Sequence, residues 1–446
     1  MIFSSPPMPI DYSVHALRRA TLAAQMKEGV ALIPTAPERQ RNRDSHYPYR
    51  YDSYFYYLTG FREPDAVLVL VAGDAPRSIL FCRDKDEERE IWDGFRYGPE
   101  GARAAIGFDE AHSISKLDEL VPDFMADQPV VHSHLGADPA WDARVMRWMN
   151  DVRARVRAGV AAPQTISDVH AILDEMRLFK DAAEIAVMRR AAEISCAAHR
   201  RAMQAARPGM GEFAIEAELM HEFRRNGSQA PAYTSIVASG QHACVLHYVE
   251  NSGVLGDGEL LLIDAGCELD GYASDITRTF PVNGNFTGPQ RDLYELVLAA
   301  QSAAIAEVKP GASWIAPHDA AVKVLAQGFI DLGLLTGSLE QALESESYRK
   351  FYMHRTGHWL GLDVHDVGDY KRGREWRELE PGMVLTVEPG CYVRGGPDVP
   401  SHYAGVGIRI EDDALVTAGG CEILTAAAPK SISDIEQLMR GERRSP

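Results

Sequence analysis

The sequence lacks paired cysteines, which would be an early guide to fold and compartment. Only six cysteines occur in 446 residues, and they stand singly, with no CxxC pair. They are Cys82, Cys196, Cys244, Cys267, Cys391 and Cys421. Scattered thiols exclude a disulfide framework and a thiolate zinc site, and they fit a reducing compartment. We therefore expect a cytoplasmic protein.

Long apolar segments and basic runs are also missing. The longest apolar run, "AVLVLVAG" at 66–73, is as long as a strand and far shorter than a membrane span. No apolar core of signal-peptide length precedes Arg18 and Arg19. Lys and Arg number 46 against 64 Asp and Glu, a net charge of −18, and no basic run could follow a phosphate backbone. We expect neither a membrane nor a nucleic acid as partner.

The composition provides ample core for a globular protein, with 46% hydrophobic and 25% charged residues. The length predicts two domains. The first third alternates helix-like and strand-like segments, which predicts a small α/β domain. A helical passage ends near 175–180, so we predict an N-terminal domain at 1–177 and a second domain at 178–446.

The second domain repeats one order of elements. Two helical segments, at about 180–206 and 211–226, are followed by short strands, and a second helical stretch at about 289–335 is followed by strands at 384–425. Two successive blocks of a helix pair and strands predict a duplicated α+β domain.

Four carboxylates stand at the ends of strongly apolar strands. They are Asp264 in "LLLIDAG", Asp275 in "ASDITRTF", Glu388 in "MVLTVEPG" and Glu411 in "VGIRIEDD". A "CELDGY" turn predicts a hairpin that brings the two aspartates together. Burying four unpaired carboxylates would be costly, and two divalent cations would balance their charge. An oxygen-rich set completed by one imidazole suits Mn²⁺, Co²⁺ or similar ions, whose chemistry in a pair is hydrolytic.

Candidate imidazoles occur in "FYMHRTGHWLGLDVHDVG" at 351–368, which contains His354, His358 and His365. No Glu follows His354, so the stretch is not the HExxH helix of a zinc protease. Strand alternation places Arg409 on the same face as Glu411, with Ile408 and Ile410 on the other. The stretch alone leaves open which histidine is a ligand.

Longer segments resemble the aminopeptidase P branch of the pita-bread metallopeptidases. They are "LLIDAGCELDGYASDITRTFPVNG", "HWLGLDVHDVG", "LEPGMVLTVEPG" and "GVGIRIEDD", and "YPYRYDSYFYYLTGF" at 47–61 resembles the family's N-terminal domain. The resemblance implies an α+β pita-bread catalytic domain of two duplicated halves behind a smaller α/β domain. It implies five ligands to two divalent ions, with Mn²⁺ expected: Asp264, Asp275, His358, Glu388 and Glu411. By that pattern Asp275 and Glu411 serve both ions.

The activity implied by the resemblance is a metal-dependent hydrolase that releases the first residue from peptides with proline second. A metal-bridging hydroxide would attack the peptide bond, and Glu388 would hold and move its proton. His247, His354, His365 and Arg409 would assist, with Tyr392, Trp92 and Arg374 near the substrate. A homodimer or homotetramer is implied. The chain differs from the family's usual residues at Arg355-Thr356-Gly357 and in the basic segment "DYKRGREW" at 369–376.

Three alternatives share the fold. An Xaa-Pro dipeptidase would have the same metal site, and "YPYRYDSYFYYLTGF" favours the aminopeptidase over it. A creatinase-like amidinohydrolase does not need the metal pair, so five intact ligands argue against it. A metal-free binding module of this fold would have lost ligands, whereas this chain retains the full set.

Overall fold

The structure is a computed structural model that describes residues 11–441, which divide into two compact units, 11–176 and 177–441. Among these residues, no helix combines the length and apolar character needed to cross a membrane.

The first unit is built around one mixed sheet. Its helices are α1 (Tyr12–Met26), α2 (Ser53–Thr59), α3 (Glu87–Asp93), α4 (Gly98–Ile106), α5 (Leu117–Met125), α6 (Pro139–Arg153) and α7 (His170–Leu178), whose end crosses the division. Its strands are β1 (Val30–Pro34), β2 (Gln40–Asn42), β3 (Ser45–His46), β4 (Val67–Val71), β5 (Arg77–Cys82), β6 (Glu110–Ser113), β7 (Val130–Ser133) and β8 (Thr165–Asp168).

Six of these strands form the sheet in the order β6-β5-β4-β1-β7-β8. β4 pairs antiparallel with both β1 and β5, whereas the outer pairs are parallel. The "VLVLV" of β4 is buried at every position, as expected for a strand covered on both faces. The α/β prediction for the first part of the chain is confirmed.

The second unit contains the remaining elements. Its helices are α8 (Ala182–Ala205), α9 (Glu212–Arg225), α10 (Gly288–Ala306), α11 (Ala316–Asp331), α12 (Leu339–Glu344) and α13 (Ile432–Arg440). Its strands are β9 (Ala230–Pro231), β10 (Ile236–Ser239), β11 (Leu260–Asp264), β12 (Cys267–Leu269), β13 (Tyr272–Ala273), β14 (Thr277–Pro281), β15 (Lys371–Arg372), β16 (Glu375–Trp376), β17 (Val384–Val387), β18 (Gly390–Val393), β19 (Val406–Arg409), β20 (Asp412–Thr417) and β21 (Gly420–Ile423).

Two helix pairs, α8 with α9 and α10 with α11, each pack together and precede a set of antiparallel strands. Capping boxes begin α8, at Asp181 and Glu184, and α10, at Thr287 and Gln290. The strands form the sheets β10-β11-β14, β13-β12-β9 and β17-β20-β21 with the pair β18-β19. The repeated order of helix pair and strands confirms the duplicated α+β prediction.

Candidate metal centre

The five predicted ligands lie at strand ends or in the loops beside them. Asp264 is the last residue of β11, and Asp275 stands just before β14. Glu388 directly follows β17, and Glu411 lies between β19 and β20. His358 is in the loop after α12, next to Trp359, which bridges to Leu385 of β17. All five side chains line one cavity of about 530 Å³.

The two aspartates are brought together by the predicted hairpin. β11 and β14 pair antiparallel with Asp264 opposite Thr277, and β12 and β13 form the turn between them. The hydroxyl oxygen of Tyr233 lies 2.6 Å from Asp264 Oδ1 and also within hydrogen-bond distance of Asp275 Oδ1, so the two carboxylates share its single proton. A single phenol therefore holds both carboxylates in one orientation.

His358 and Glu388 are placed by the backbone of β17. His358 N donates to Thr386 Oγ1 at 3.1 Å, and Thr386 N donates to the carbonyl of His358 at 2.9 Å. This approach requires glycine at 357, because a Cβ there would lie 2.0 Å from the carbonyl oxygen of Thr386. The imidazole Nε2 consequently lies 3.7 Å from Glu388 Oε1.

Glu411 is oriented by Thr277 of β14 and, through that residue, by Arg409 of β19. Thr277 Oγ1 donates to Glu411 Oε2 at 2.6 Å, and Arg409 Nε donates to the same Thr277 oxygen at 3.0 Å. Arg409 faces the cavity, whereas Ile408 and Ile410 lie in the core, as the strand alternation predicted. Glu411 itself is buried.

The cluster concentrates negative charge in a buried place. The ligating atoms of Asp275, His358 and Glu411 all lie within 4.8 Å of one another. Burial and the neighbouring carboxylates raise the pKa of Glu411 well above its ordinary value, and burial also raises the pKa of Asp275. Burial raises the pKa of Glu388 to about 7, with Asp275 and Asp264 adding to the rise. Such a group of acids gains from a bound cation.

His358 has the ring orientation that a metal ligand needs. Its Nδ1 lies 2.9 Å from the carbonyl oxygen of Trp359 and therefore donates to it. Nε2 is directed at the carboxylates, with Asp275 Oδ2 at 3.5 Å, and it would give up its proton when a metal ion binds. Although burial lowers the pKa of His358, the hydrogen bond to Asp275 and the charge of Glu388 raise it to about 9. Four carboxylates and this imidazole fit divalent cations with a preference for oxygen ligands.

The other predicted histidines surround the cluster. His247, His354 and His365 also line the cavity, and the His365 ring lies 4.2 Å from that of His358 between centroids. Burial, with the charge of His358, lowers the pKa of His365. Burial, with the charge of Arg409, lowers the pKa of His354 to about 3. His354 and His365 are thus neutral imidazoles near pH 7.

Arg409, Tyr392 and His354 form a continuous hydrogen-bond chain. Arg409 Nη1 donates to the Tyr392 hydroxyl at 3.0 Å, and that hydroxyl lies 2.9 Å from His354 Nε2. His354 Nδ1 lies 2.7 Å from the carbonyl oxygen of Arg355 and donates to it, so Nε2 accepts from Tyr392. Tyr392 is fully buried. It therefore supports His354 from behind the cavity wall.

Two predicted substrate residues lie elsewhere in the chain. Trp92 is on α3 of the first unit with 80% of its surface exposed. Arg374 is exposed in the turn between β15 and β16, and it is not among the residues that line the cavity. Their contacts with substrate stay predictions. Sequence reasoning missed Tyr233 and Thr277, because a Tyr before a strand and a Thr within one carry no signal of a carboxylate partner.

The chain and its structure are similar to known proteins. The model of metallopeptidase family M24 matches residues 186–418, and that of the aminopeptidase P N-terminal domain matches residues 15–132. The chain is 46% identical to the Xaa-Pro aminopeptidase of Escherichia coli (strain K12) over 430 residues, 96% of this chain and 97% of that one.

Solved structures agree with the sequence comparison. Pseudomonas aeruginosa aminopeptidase PepP superposes with a TM-score of 0.95 at 50% identity, covering 96% of this chain and 98% of that one. Zinc-substituted E. coli aminopeptidase P in complex with product gives a TM-score of 0.95 at 44% identity, covering 98% and 100%. The pita-bread fold is thereby confirmed, and these relatives favour the aminopeptidase over the dipeptidase. The chain belongs to metallopeptidase family M24, and within it to the aminopeptidase P (Xaa-Pro aminopeptidase) group of hydrolases.

Proposed function

We propose that this chain is a metal-dependent exopeptidase that releases the N-terminal residue from peptides with proline in second position. The observation that carries the proposal is the cavity in which four carboxylates and one imidazole converge beside further histidines. Proline has no N–H and a fixed φ, so its peptide bond needs a dedicated site. The similarity to Xaa-Pro aminopeptidases over nearly the whole chain supports this substrate class.

The cluster is proposed to hold two divalent ions, with Mn²⁺ as the expected pair. The ligands would be Asp264, Asp275, His358, Glu388 and Glu411, with Asp275 and Glu411 serving both ions. When bound, such ions supply Lewis-acid chemistry that activates water and polarises a carbonyl at neutral pH. The donor set supports the assignment, since its oxygen ligands suit Mn²⁺.

The remaining residues are assigned to proton transfer and orientation. Glu388 accepts the proton that the attacking water loses and delivers it to the leaving proline nitrogen. His247 and His365 donate hydrogen bonds to the carbonyl oxygens of the peptide, where negative charge develops.

A second set of assignments concerns support of these groups. His354, held by Tyr392, lines the cavity beside the proposed ligands. Arg409 orients Asp264 directly, with Nη2 at 2.6 Å from Oδ2, and Glu411 through Thr277. We also propose that the enzyme works as a homo-oligomer in the cytoplasm. Trp92 and Arg374 are proposed to contact the peptide. The boundary between the two domains is proposed to lie at residue 177.

The test gives purified, Mn²⁺-loaded protein a tripeptide Xaa-Pro-Yaa and, separately, the dipeptide Xaa-Pro, and identifies products by mass. We expect release of Xaa from the tripeptide, abolished by a chelator and by Glu388→Ala. The matched control is Glu340→Ala, which removes an exposed acid on α12 and should retain activity. Cleavage of the dipeptide alone would assign the chain to the dipeptidases, and no cleavage with Mn²⁺, Co²⁺, Zn²⁺ or Fe²⁺ would refute the proposal.

A further inference from the structure

The cavity wall contains two arginines with opposite environments. Arg409 is buried and paired with Asp264. Arg355 is exposed, and its guanidinium forms no ion pair or hydrogen bond with any residue in the range 11–441. An unpaired cation that faces a binding cavity is available to an anionic group of a ligand.

Arg355 is nevertheless held in place by an aromatic ring. Its Cζ lies 5.8 Å from the centroid of Trp376, and Lys371 Nζ lies 4.2 Å from the same centroid. Trp376 and Lys371 pair across the β15–β16 hairpin. Cations over an indole are attracted by the negative face of the ring. Two positive charges are thus gathered on one indole beside the cavity wall.

The nearby acid does not neutralise Arg355. The exposed Asp319 is affected by the guanidinium's charge, since burial raises its pKa while Arg355 opposes the rise. It does not lie within ion-pair distance of the arginine among the described residues. A carboxylate that reached Arg355 would therefore displace no existing ion pair.

The cavity also gives a bound peptide a direction. The peptide bond to be cut would lie at the carboxylates, where the ions would be held, and apolar side chains form much of the remaining wall: Ile236, Leu246, Val249 and Val364. Arg355 directly follows His354 and provides the unpaired positive charge of the described lining. A peptide with its scissile bond at the carboxylates would extend the part beyond proline toward the open side of the cavity, where the exposed Arg355 lies.

We propose that Arg355 forms an anion subsite that favours substrates with a carboxylate just beyond the proline. The inference rests on the proposed aminopeptidase function. The carboxylate could be the C-terminus of a tripeptide or the side chain of an acidic third residue, and a guanidinium fork accepts either as a bidentate partner. Arg355 is thus a specificity-determining residue that contacts the leaving part of the peptide.

The experiment measures kcat/KM of the Mn²⁺-loaded protein for two matched peptide pairs. The first pair is Xaa-Pro-Ala with a free or an amidated C-terminus, and the second is Xaa-Pro-Asp-amide and Xaa-Pro-Asn-amide. In each pair the neutral peptide is the internal reference, so the result is kcat/KM for the charged peptide divided by kcat/KM for the neutral one. Variants are Arg355→Gln, Arg355→Lys and the control Lys323→Gln, which removes an exposed cation of α11 outside the cavity lining.

We expect a wild-type ratio above one in at least one pair, and a fall of about tenfold in that ratio for Arg355→Gln, the size of a lost charged hydrogen bond. Arg355→Lys should retain part of the preference, and Lys323→Gln should retain all of it. The pair that responds identifies the source of the carboxylate.

Two outcomes would overturn the inference in different ways. Ratios near one in both pairs, or ratios unchanged by Arg355→Gln, would refute the anion subsite while leaving the aminopeptidase intact. Failure of the wild type to hydrolyse any of the four peptides would instead refute the proposed function and the subsite with it.

Discussion

Arg409 and Asp264 are joined by an ion pair, with Nη2 at 2.6 Å from Oδ2, although they lie 145 positions apart in the chain. The arginine is 4% exposed and also donates to Thr277 and Tyr392. Burial of this guanidinium opposes its charge, but Tyr392 and the surrounding carboxylates raise the pKa of Arg409 well above its ordinary value. It is a permanent positive charge within the acidic cluster.

Removing that charge should destabilise the metal-free protein. For Arg409→Met we expect a loss of about 3–5 kcal/mol in the free energy of unfolding, because the partly buried Asp264 and the carboxylates around it lose their positive partner. Arg409→Lys, which keeps a charge, should lose less. The measurement is urea unfolding with chelator and with Mn²⁺. Equal losses for the two variants would show that packing, and not charge, explains the effect.

Glu388 should make the stability of the metal-free protein depend on pH. Burial raises its pKa from 4.5 to about 7, so the native state binds a proton that the unfolded state has released. Stability from this group therefore falls as pH rises from 4.5 to 7, by on the order of 3 kcal/mol. Glu388→Gln should remove that slope, as measured by urea unfolding with chelator at several pH values.

The matched substitution Glu340→Gln changes an exposed acid and should leave the slope in place. At pH 7 without metal, Glu388→Gln should be more stable to unfolding than the wild type. Mn²⁺ should reverse this order, because the ion stabilises the wild type, which retains the Glu388 ligand. A slope that persists in Glu388→Gln would assign the titration to another member of the cluster.

Asp366 should be needed for the loop that presents His365. It is buried and accepts from Arg177 Nη2 at 2.6 Å and from Lys180 Nζ at 2.9 Å. For Asp366→Asn we expect a loss of about 3–5 kcal/mol, since the buried Arg177 and Lys180 lose the buried carboxylate that they share. Asp363 is the control, because it bonds the same Nη2 at 2.8 Å while 43% exposed, and Asp363→Asn should cost about 1 kcal/mol or less. Similar losses in chemical unfolding would contradict this ranking.

Glu212 should order the loop that carries His247. It is fully buried and accepts from Ser239 N at 2.8 Å, His242 Nδ1 at 2.9 Å, Tyr248 Oη at 2.8 Å and Gly253 N at 2.6 Å. Glu212→Gln places an amide against these donors, so we expect faster hydrogen exchange at Ser239 and Gly253 and a fall in kcat/KM of about tenfold or more.

The control for Glu212 is Glu216→Gln, one turn along α9. Glu216 accepts from Asn251 Nδ2 at 3.0 Å, a single contact to the same loop. Its loss should change exchange far less. Unchanged exchange in Glu212→Gln would show that the loop is ordered by packing without the carboxylate.

Local patterns in the sequence were sufficient for much of this organisation. The periodic helices, the apolar strands that end in Asp264 and Glu388, and the hairpin turn before Asp275 each depend on neighbouring residues. The alternation that separates Arg409 from the core isoleucines is equally local. These features follow from side-chain period and turn chemistry, so a single sequence contains them.

Contacts between distant residues could not be predicted in the same way. Tyr233 reaches Asp264 across 31 positions and Asp275 across 42. The donors of Glu212 lie 27 to 41 positions away. Which polar groups meet depends on how helices and sheets pack, and no local pattern encodes that arrangement.

The acidic cluster has a consequence for the amount of this protein in a cell. Without its ions the chain keeps like charges together in a buried place, which favours opening of the native state. Open chains are the ones that proteases and chaperones remove, and a stability change of about 1–2 kcal/mol is enough to alter abundance several-fold. Scarcity of metal should therefore deplete the enzyme itself, so that metal nutrition sets the number of molecules present as well as the rate of each.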